Sequence, residues 1–503
     1  METRVNDAYA ALEQRFHRIA SLRQALAVLQ WDTAAMMPPG GQQARAEQVA
    51  TLRVMEHEIL ADSALEDLLG RAESDAASLD PWQRANLREM RRAYGHATAL
   101  DAALVEAVSK ANAECESIWR EARPKSDFAL VRPALERVVS LQREVAGAKA
   151  AKLGVSPYDA LLDEYEPDGK SAAIDRVFEP LEKSLRPFLE QVLEHQAREP
   201  TLELPPGPFP IPWQRALCEK LMKTLGFDFE HGRLDVSLHP FCGGVPDDVR
   251  ITTRYDEDNF TQSLMGVLHE TGHALYERGL PEQWRYQPVG DARGMSVHEG
   301  QSLLMEMQAC RSREFLAYLA PLARDAFGAG GPAWDAENLH RLYTRVERSL
   351  IRVAADEVTY PAHIILRYRL ERALLAGDLA VADLPGAWND GMEELLGIRP
   401  PDDRRGCLQD IHWYDGAFGY FPTYTLGAMT AAQLFDAAKR AEPAIPAAIA
   451  RGDFSPLVAW LRANVHAKAS LLPTPELLTQ ATGRPLDPSV FQRHLETRYL
   501  GNA

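Results

Sequence analysis

From Leu12 onward the apolar residues return at Phe16, Ile19, Leu22, Leu26 and Leu29, in steps of three and four that place them on one face of a helix. The pattern predicts a helix that ends near Met37, where Pro38-Pro39-Gly40 stops it. The same spacing, carried by Ala, Leu, Glu and Arg, recurs through residues 42–150, 171–197, 300–326, 338–378 and 428–465. One stretch departs from it. Within residues 233–256, positions 234–238 and 249–255 alternate as strands do, around Gly243-Gly244. Residues 202–212 and 279–294 carry the Pro and Gly density of loops. Between them, residues 262–278 return to the helical period through Leu264, Val267, Leu268 and Leu275. The prediction is a mostly α protein with a small β-sheet just ahead of that last helix.

At 503 residues and 46% hydrophobic content the chain can bury a large core. Length alone favours two or more domains, but no Gly/Ser-rich or Pro-rich linker separates independent units. A single helical body spanning residues 1–503 and wrapped around a deep central cleft is expected. Seventy-two acidic residues against 55 basic ones give a net charge of -17, which argues against a nucleic-acid partner and a basic membrane-facing stripe. The five cysteines, Cys115, Cys218, Cys242, Cys310 and Cys407, are scattered and include no C-x-x-C pair, as expected of unpaired thiols in a reducing compartment. The opening Met1-Glu2-Thr3-Arg4 lacks the basic-then-apolar plan of a secretory leader, and the expected location is the cytoplasm.

The chemistry concentrates in His269-Glu270-Thr271-Gly272-His273, an H-E-x-x-H sequence inside the helical period. One helical turn separates the two histidines, so both imidazoles face one side and can share a tetrahedral zinc ion. Glu270 is then placed to act on water at the open coordination position: zinc lowers the pKa of that water to about 7, and the carboxylate takes its proton. Chance yields the motif in only about a few per cent of chains of this length. Gly272 costs about 1 kcal/mol relative to alanine in a helix, and close approach of another backbone or of substrate would account for it. A third protein ligand is required. Glu299, in Val297-His298-Glu299-Gly300-Gln301, is the best candidate and His298 competes with it. Ser296, three residues before Glu299, offers the alternative of a capping box.

Six short motifs, read in order, resemble the carboxypeptidase Taq family of zinc metallocarboxypeptidases. They are His239-Pro240-Phe241, Asp248 to Thr252, the H-E-x-x-H, His298-Glu299-Gly300-Gln301, Ile351-Arg352-Val353-Ala354-Ala355-Asp356, and Gly406-Cys407-Leu408-Gln409-Asp410-Ile411-His412-Trp413. Trp31-Asp32 with Met37-Pro38-Pro39-Gly40, and residues 154–159, are similar to the family as well. The resemblance implies His269, His273 and Glu299 as metal ligands and Glu270 as catalytic base. It implies a mostly helical, cleft-bearing fold, one zinc that cobalt can replace, release of single C-terminal residues with broad specificity, and a homodimer. Within these motifs Arg352 is suited to grip a substrate's free carboxylate, or else to pair with Asp356 four positions later on the same helix. Gln409 and Asp410 are expected to bind substrate or support residues that do. His412 is a candidate oxyanion donor or a packed histidine, and Tyr420 and Tyr424 are further candidate contacts. Asp248 and Arg250 are expected to brace the wall of the site.

Overall fold

The computed structural model describes residues 7–328 and 330–501. Residues Met1 to Arg4, on which the argument against a leader rests, lie outside them. Helices dominate, and the only sheet among the described residues is three-stranded. The first helix runs Asp7–Ala35 and ends two residues before the expected stop, and the expected helix at 171–197 is Ser171–Gln196. None of the described helices is long and apolar enough to cross a membrane. The five cysteines are free thiols, all but Cys242 buried.

Contacts gather the chain into two compact units. One comprises residues 1–97, 201–343 and 430–486, the other residues 98–200, 344–429 and 487–503. Each is assembled from three separate stretches, so no single linker divides the chain.

In the first unit the sheet consists of β1 (Gly232–Val236), β2 (Phe241–Val245) and β3 (Asp248–Thr253), in the order β1-β3-β2. β1 is parallel to β3 and β2 is antiparallel to it. Sequence reasoning found β1 and β3 but took the glycines of β2 for a turn. They belong to the strand: Gly244 has φ +85°, and a Cβ there would lie 2.1 Å from the Asp248 carbonyl oxygen, so only glycine permits so tight a return into β3. Arg250 grips Asp248 through both oxygens and lies 4.3 Å from the centre of the Trp31 ring, with Arg233 on the same ring at 5.0 Å. These contacts tie the end of the first helix to the sheet.

The helix Phe260–Gly279 packs on β3. Asn259 caps it by accepting from the Thr261 N–H at 3.0 Å, which satisfies one of the free donors of its first turn. Phe260 is clamped among Phe209, Phe327 and Trp334 at ring distances of 4.8, 5.0 and 5.6 Å. Burial of each such ring contributes about 1.5–3 kcal/mol, so the start of this helix is rigidly fixed before any site chemistry is considered. Gln214 reinforces it, accepting from Ser263 at 2.6 Å and donating to the Phe209 and Asp256 carbonyls.

The helical pattern expected across 338–378 is interrupted. After Ala336–Tyr343 the chain loosens, makes a single 3-10 turn at Arg352–Ala354, and resumes as a helix only at Tyr360–Ala376. The reason is Asp356, whose carboxylate accepts from the backbone N–H groups of Glu347, Val358 and Thr359. It spends its hydrogen bonds on the turn, so the Arg352–Asp356 helical pair does not form.

Candidate active site

Helical geometry puts His269 and His273 side by side, and the next helix, Met295–Leu303, delivers Glu299 to them. Its carboxylate Oε2 lies 3.6 Å from His269 Nε2 and 3.4 Å from His273 Nε2. Ligands about 2.0–2.2 Å from a tetrahedral ion are separated by about 3.3–3.6 Å along each edge, so the carboxylate stands at coordination spacing from both imidazole nitrogens, and all three donor atoms lie within 4.8 Å of one another. Among the described residues this is the one group of His, Cys, Asp or Glu side chains able to hold a metal. Ser296 lies within the first turn of its helix, which begins after Gly294 without a side-chain cap. The capping box is therefore absent, and the Glu299 carboxylate is left to the histidines and to Ser302 Oγ at 3.1 Å.

The two helices meet at Gly272. A Cβ there would fall 2.5 Å from the Gln301 carbonyl oxygen and 2.6 Å from the Ser302 Cα. Backbone approach is thus the reason for the glycine, and it is what brings Glu299 within reach.

Behind the ligands, His269 Nδ1 meets Glu306 at 2.9 Å, and Arg311 holds the other oxygen of that carboxylate at 2.5 Å. Glu306 sits in a wide π-helical turn, Leu304–Ala309, an irregularity that turns a charged side chain inward from an otherwise apolar run. His298 stands outside this donor group: its Nδ1 lies 2.6 Å from the Nδ1 of His273, on the other side of that ring from the Nε2 that faces Glu299.

Electrostatics follow from burial. Burial would pull the His269 imidazole down, but the carboxylates of Glu299, Glu306 and Glu270 lift it to about 10. His273, with less carboxylate support and two imidazoles beside it, is pushed down to about 4, chiefly by burial. Burial also raises Glu299, yet the two histidines and Ser302 hold it at about 2. Glu270 is only 8% exposed, and burial raises it to about 7, with Glu299 and Glu306 pushing the same way and His269 opposing. A divalent cation held by these three donors would take the place of the His269 proton and favour the ionised form of Glu270.

The remaining sequence candidates gather in the second unit. Arg352 is 7% exposed and grips Asp410 at 2.9 and 2.8 Å, while Arg367 takes the other oxygen of the same carboxylate at 2.7 Å. Burial raises the Asp410 carboxyl, but the two guanidiniums outweigh it and hold it far below the usual carboxylate range. The trio carries one positive charge in excess. Gln409 accepts from the Arg352 backbone N–H and from Arg367, and its own amide donates to the Leu350, Arg405 and Gly406 carbonyls. With its hydrogen bonds committed inside the chain it braces Arg352. Tyr424 lies under the Arg352 guanidinium at 4.8 Å, and His412 packs against Phe421, Tyr420 and Tyr424 at ring distances of 4.5, 5.7 and 6.2 Å.

A profile described as carboxypeptidase Taq (M32) metallopeptidase matches residues 11–499. The chain belongs to that family. Thermostable carboxypeptidase 1 of Thermus thermophilus is 39% identical over 98% of either chain, and carboxypeptidase 1 of Bacillus subtilis is 32% identical over 96% of either chain. Among solved structures, metallocarboxypeptidase 1 of Trypanosoma cruzi superposes with a TM-score of 0.96 at 42% identity, covering 98% of this chain and 100% of its own. For an M32 metallopeptidase a divalent metal is implied, and the His269, His273 and Glu299 donor set fits one.

Several residues of this M32 chain escaped the sequence reading: Glu306, Arg311, Arg367 and Glu371. The available signal was a charged residue inside an apolar helical run, such as Glu306 within Leu303-Leu304-Met305-Glu306-Met307, since such residues are seldom buried without a partner. Glu371 is fully buried and accepts from Tyr158 Oη at 2.5 Å, Trp413 Nε1 at 3.2 Å and the Gly419 N–H at 3.4 Å. It thereby pins both sides of the loop between His412 and Tyr420. Burial raises its carboxyl from 4.5 to about 7 against those hydrogen bonds. A carboxyl raised in the folded state favours folding below its unfolded pKa and loses that advantage as pH climbs through the folded value, here between about 4.5 and 7. Glu371→Gln is therefore expected to compare better with wild type at pH 8 than at pH 5, by up to about 3 kcal/mol. Paired denaturant titrations at the two pH values check this, and a pH-independent difference contradicts it.

Proposed function

We propose that the chain is a zinc-dependent metallocarboxypeptidase that removes single residues from the free C-terminus of peptides with broad specificity. The observation that carries the proposal is the convergence of His269, His273 and Glu299, whose carboxylate stands 3.6 and 3.4 Å from the two imidazole nitrogens, with Glu270 next to His269. Two imidazoles and one carboxylate are a donor set of catalytic zinc, which cobalt can also occupy, and three protein ligands leave a coordination position open. The metal, when bound, supplies a Lewis acid to the scissile carbonyl and lowers the pKa of water to about 7.

Glu270 is the general base in this scheme, taking a proton from the attacking water and returning it to the leaving amine. His412, Tyr420 and Tyr424 are the proposed donors to the developing oxyanion. Burial lowers His412 to about 4, with Arg352 and Arg367 contributing, so it is neutral at physiological pH. Its buried Nδ1 has no hydrogen-bond partner among the described residues. Arg352 is the anchor for the substrate carboxylate, supported by the unbalanced positive charge it shares with Arg367 over Asp410. Asp410 and Gln409 act through Arg352 by fixing its plane. Assembly as a homodimer, which the resemblance implies, and a cytoplasmic location belong to the same proposal.

Arg352→Ala tests the exopeptidase reading, because Asp410 keeps Arg367 as a partner. Loss of one member of a desolvated charge pair costs about 2–5 kcal/mol. Hydrolysis of a free-acid peptide is thus expected to fall by about 10²-fold or more, while the slow turnover of its C-terminal amide stays unchanged. Products followed by mass spectrometry give both rates. Equal loss on both peptides removes the anchor role, and internal cuts in both by wild type move the activity to an endopeptidase.

A further inference from the structure

We infer that Glu277 and His298 form a hydrogen-bond relay that orients the metal ligand His273, and that Glu277 acts on the metal only through His298. The inference rests on the proposed reading of His273 as a ligand through Nε2. Three groups stand in line: His273 Nδ1 lies 2.6 Å from His298 Nδ1, and His298 Nε2 lies 2.7 Å from Glu277 Oε1. His273 and Glu277 are one turn apart on the Phe260–Gly279 helix, whereas His298 comes from the Met295–Leu303 helix, next to the ligand Glu299. One side chain thus bridges the two helices that supply the three ligands.

The direction of donation is dictated by the metal. An imidazole that binds metal through Nε2 carries its proton on Nδ1, so His273 must donate. His298 Nδ1 then has to accept, which leaves its proton on Nε2, pointing at the Glu277 carboxylate, which can only accept it. Every proton in the line has one place, and the relay ends on a negative charge that makes His273 a better donor to the metal. His269 reaches the same end by a shorter route, directly to Glu306 with Arg311 behind it. Glu277 is too far along this line to touch His273's ring nitrogen itself, since His298 occupies that position. Packing supports the bridge: the His298 ring lies 4.6 Å from that of His273 and 5.4 Å from that of Tyr276.

A positioning role of this kind predicts a particular failure of additivity. Apo-protein is prepared by chelation and titrated with zinc against a chromophoric chelator, for wild type, His298→Ala, His298→Gln, Glu277→Ala, Glu277→Gln and the double alanine variant. His298→Ala is expected to weaken zinc binding by about 10–100-fold, and His298→Gln to restore most of it, because the amide can accept from His273 and donate to Glu277. Glu277→Ala is expected to weaken binding several-fold in the wild-type background and not at all in the His298→Ala background. Glu277→Gln, which keeps an acceptor oxygen and the side-chain shape, should stay closer to wild type than Glu277→Ala. An equal cost of Glu277→Ala in both backgrounds, or unchanged zinc affinity in His298→Ala, overturns the relay. Wild type that binds one zinc equivalent, lost in His273→Ala, establishes the ligand reading separately. Its failure there would overturn that reading and the relay with it.

Discussion

Replacement of Glu270 by Gln is expected to lower kcat/KM for a free-acid peptide by about 10²–10⁴-fold, the range that a positioned general base contributes, with zinc stoichiometry and folding unchanged. Gln matches Glu in shape and fills the same nearly closed position, where the side chain is 8% exposed. It lacks only the ability to take a proton. None of the ligand distances involves Glu270, so its replacement leaves the His269, His273 and Glu299 spacing in place. The pH profile adds a second, independent readout. A base works in its deprotonated form, so activity rises with pH through its pKa. Without metal that value is about 7, and a nearby cation lowers it, so the acid limb of the loaded wild type should fall below 7 and vanish in the variant. Zinc binding lost along with activity would instead make Glu270 part of the metal cage. Activity retained within tenfold would pass the base role to another group.

The features written in local spacing were legible in the sequence. His269 and His273 face one way because four residues make one turn, and β1 and β3 alternate because a strand has period two. The features that depend on distant partners were not. Arg352 and Asp410 lie 58 positions apart, so nothing in the Arg352 segment points to Asp410, and local spacing could offer only Asp356 as an alternative partner. The break after Tyr343 has the same origin, since Asp356 competes for backbone donors that a helix would otherwise use. β2 was missed for a different reason: Gly243 and Gly244 carry a turn signature, and the antiparallel pairing with β3 that makes them a strand is invisible until β3 is in place. Glu299 could be proposed but not separated from His298 by sequence. What separates them is which face of the Met295–Leu303 helix meets Gly272.

That contact yields the second large effect. Gly272→Ala adds a Cβ where the Gln301 carbonyl oxygen would be 2.5 Å away and the Ser302 Cα 2.6 Å away. Neither is a flexible side-chain end that can swing aside, so the Met295–Leu303 helix itself has to shift. Overpacking of this kind costs about 1–3 kcal/mol, against a gain of about 1 kcal/mol from replacing glycine within a helix. The metal site should suffer more than the fold. Gln301 and Ser302 follow Glu299 directly, so any retreat of their backbone carries the carboxylate away from donor atoms that now stand 3.4 and 3.6 Å from it. Zinc affinity is expected to fall by about tenfold or more, equivalent to about 1.4 kcal/mol, and excess zinc should recover part of the lost thermal stability by mass action. Gly266→Ala is the matched control. It lies in the same helix with nothing within 4 Å of the added Cβ, so it should raise stability by up to about 1 kcal/mol and leave zinc affinity alone. If the two variants bind zinc equally well, the close approach at Gly272 serves packing only, and the placement of Glu299 must depend on the π-helical turn that follows it.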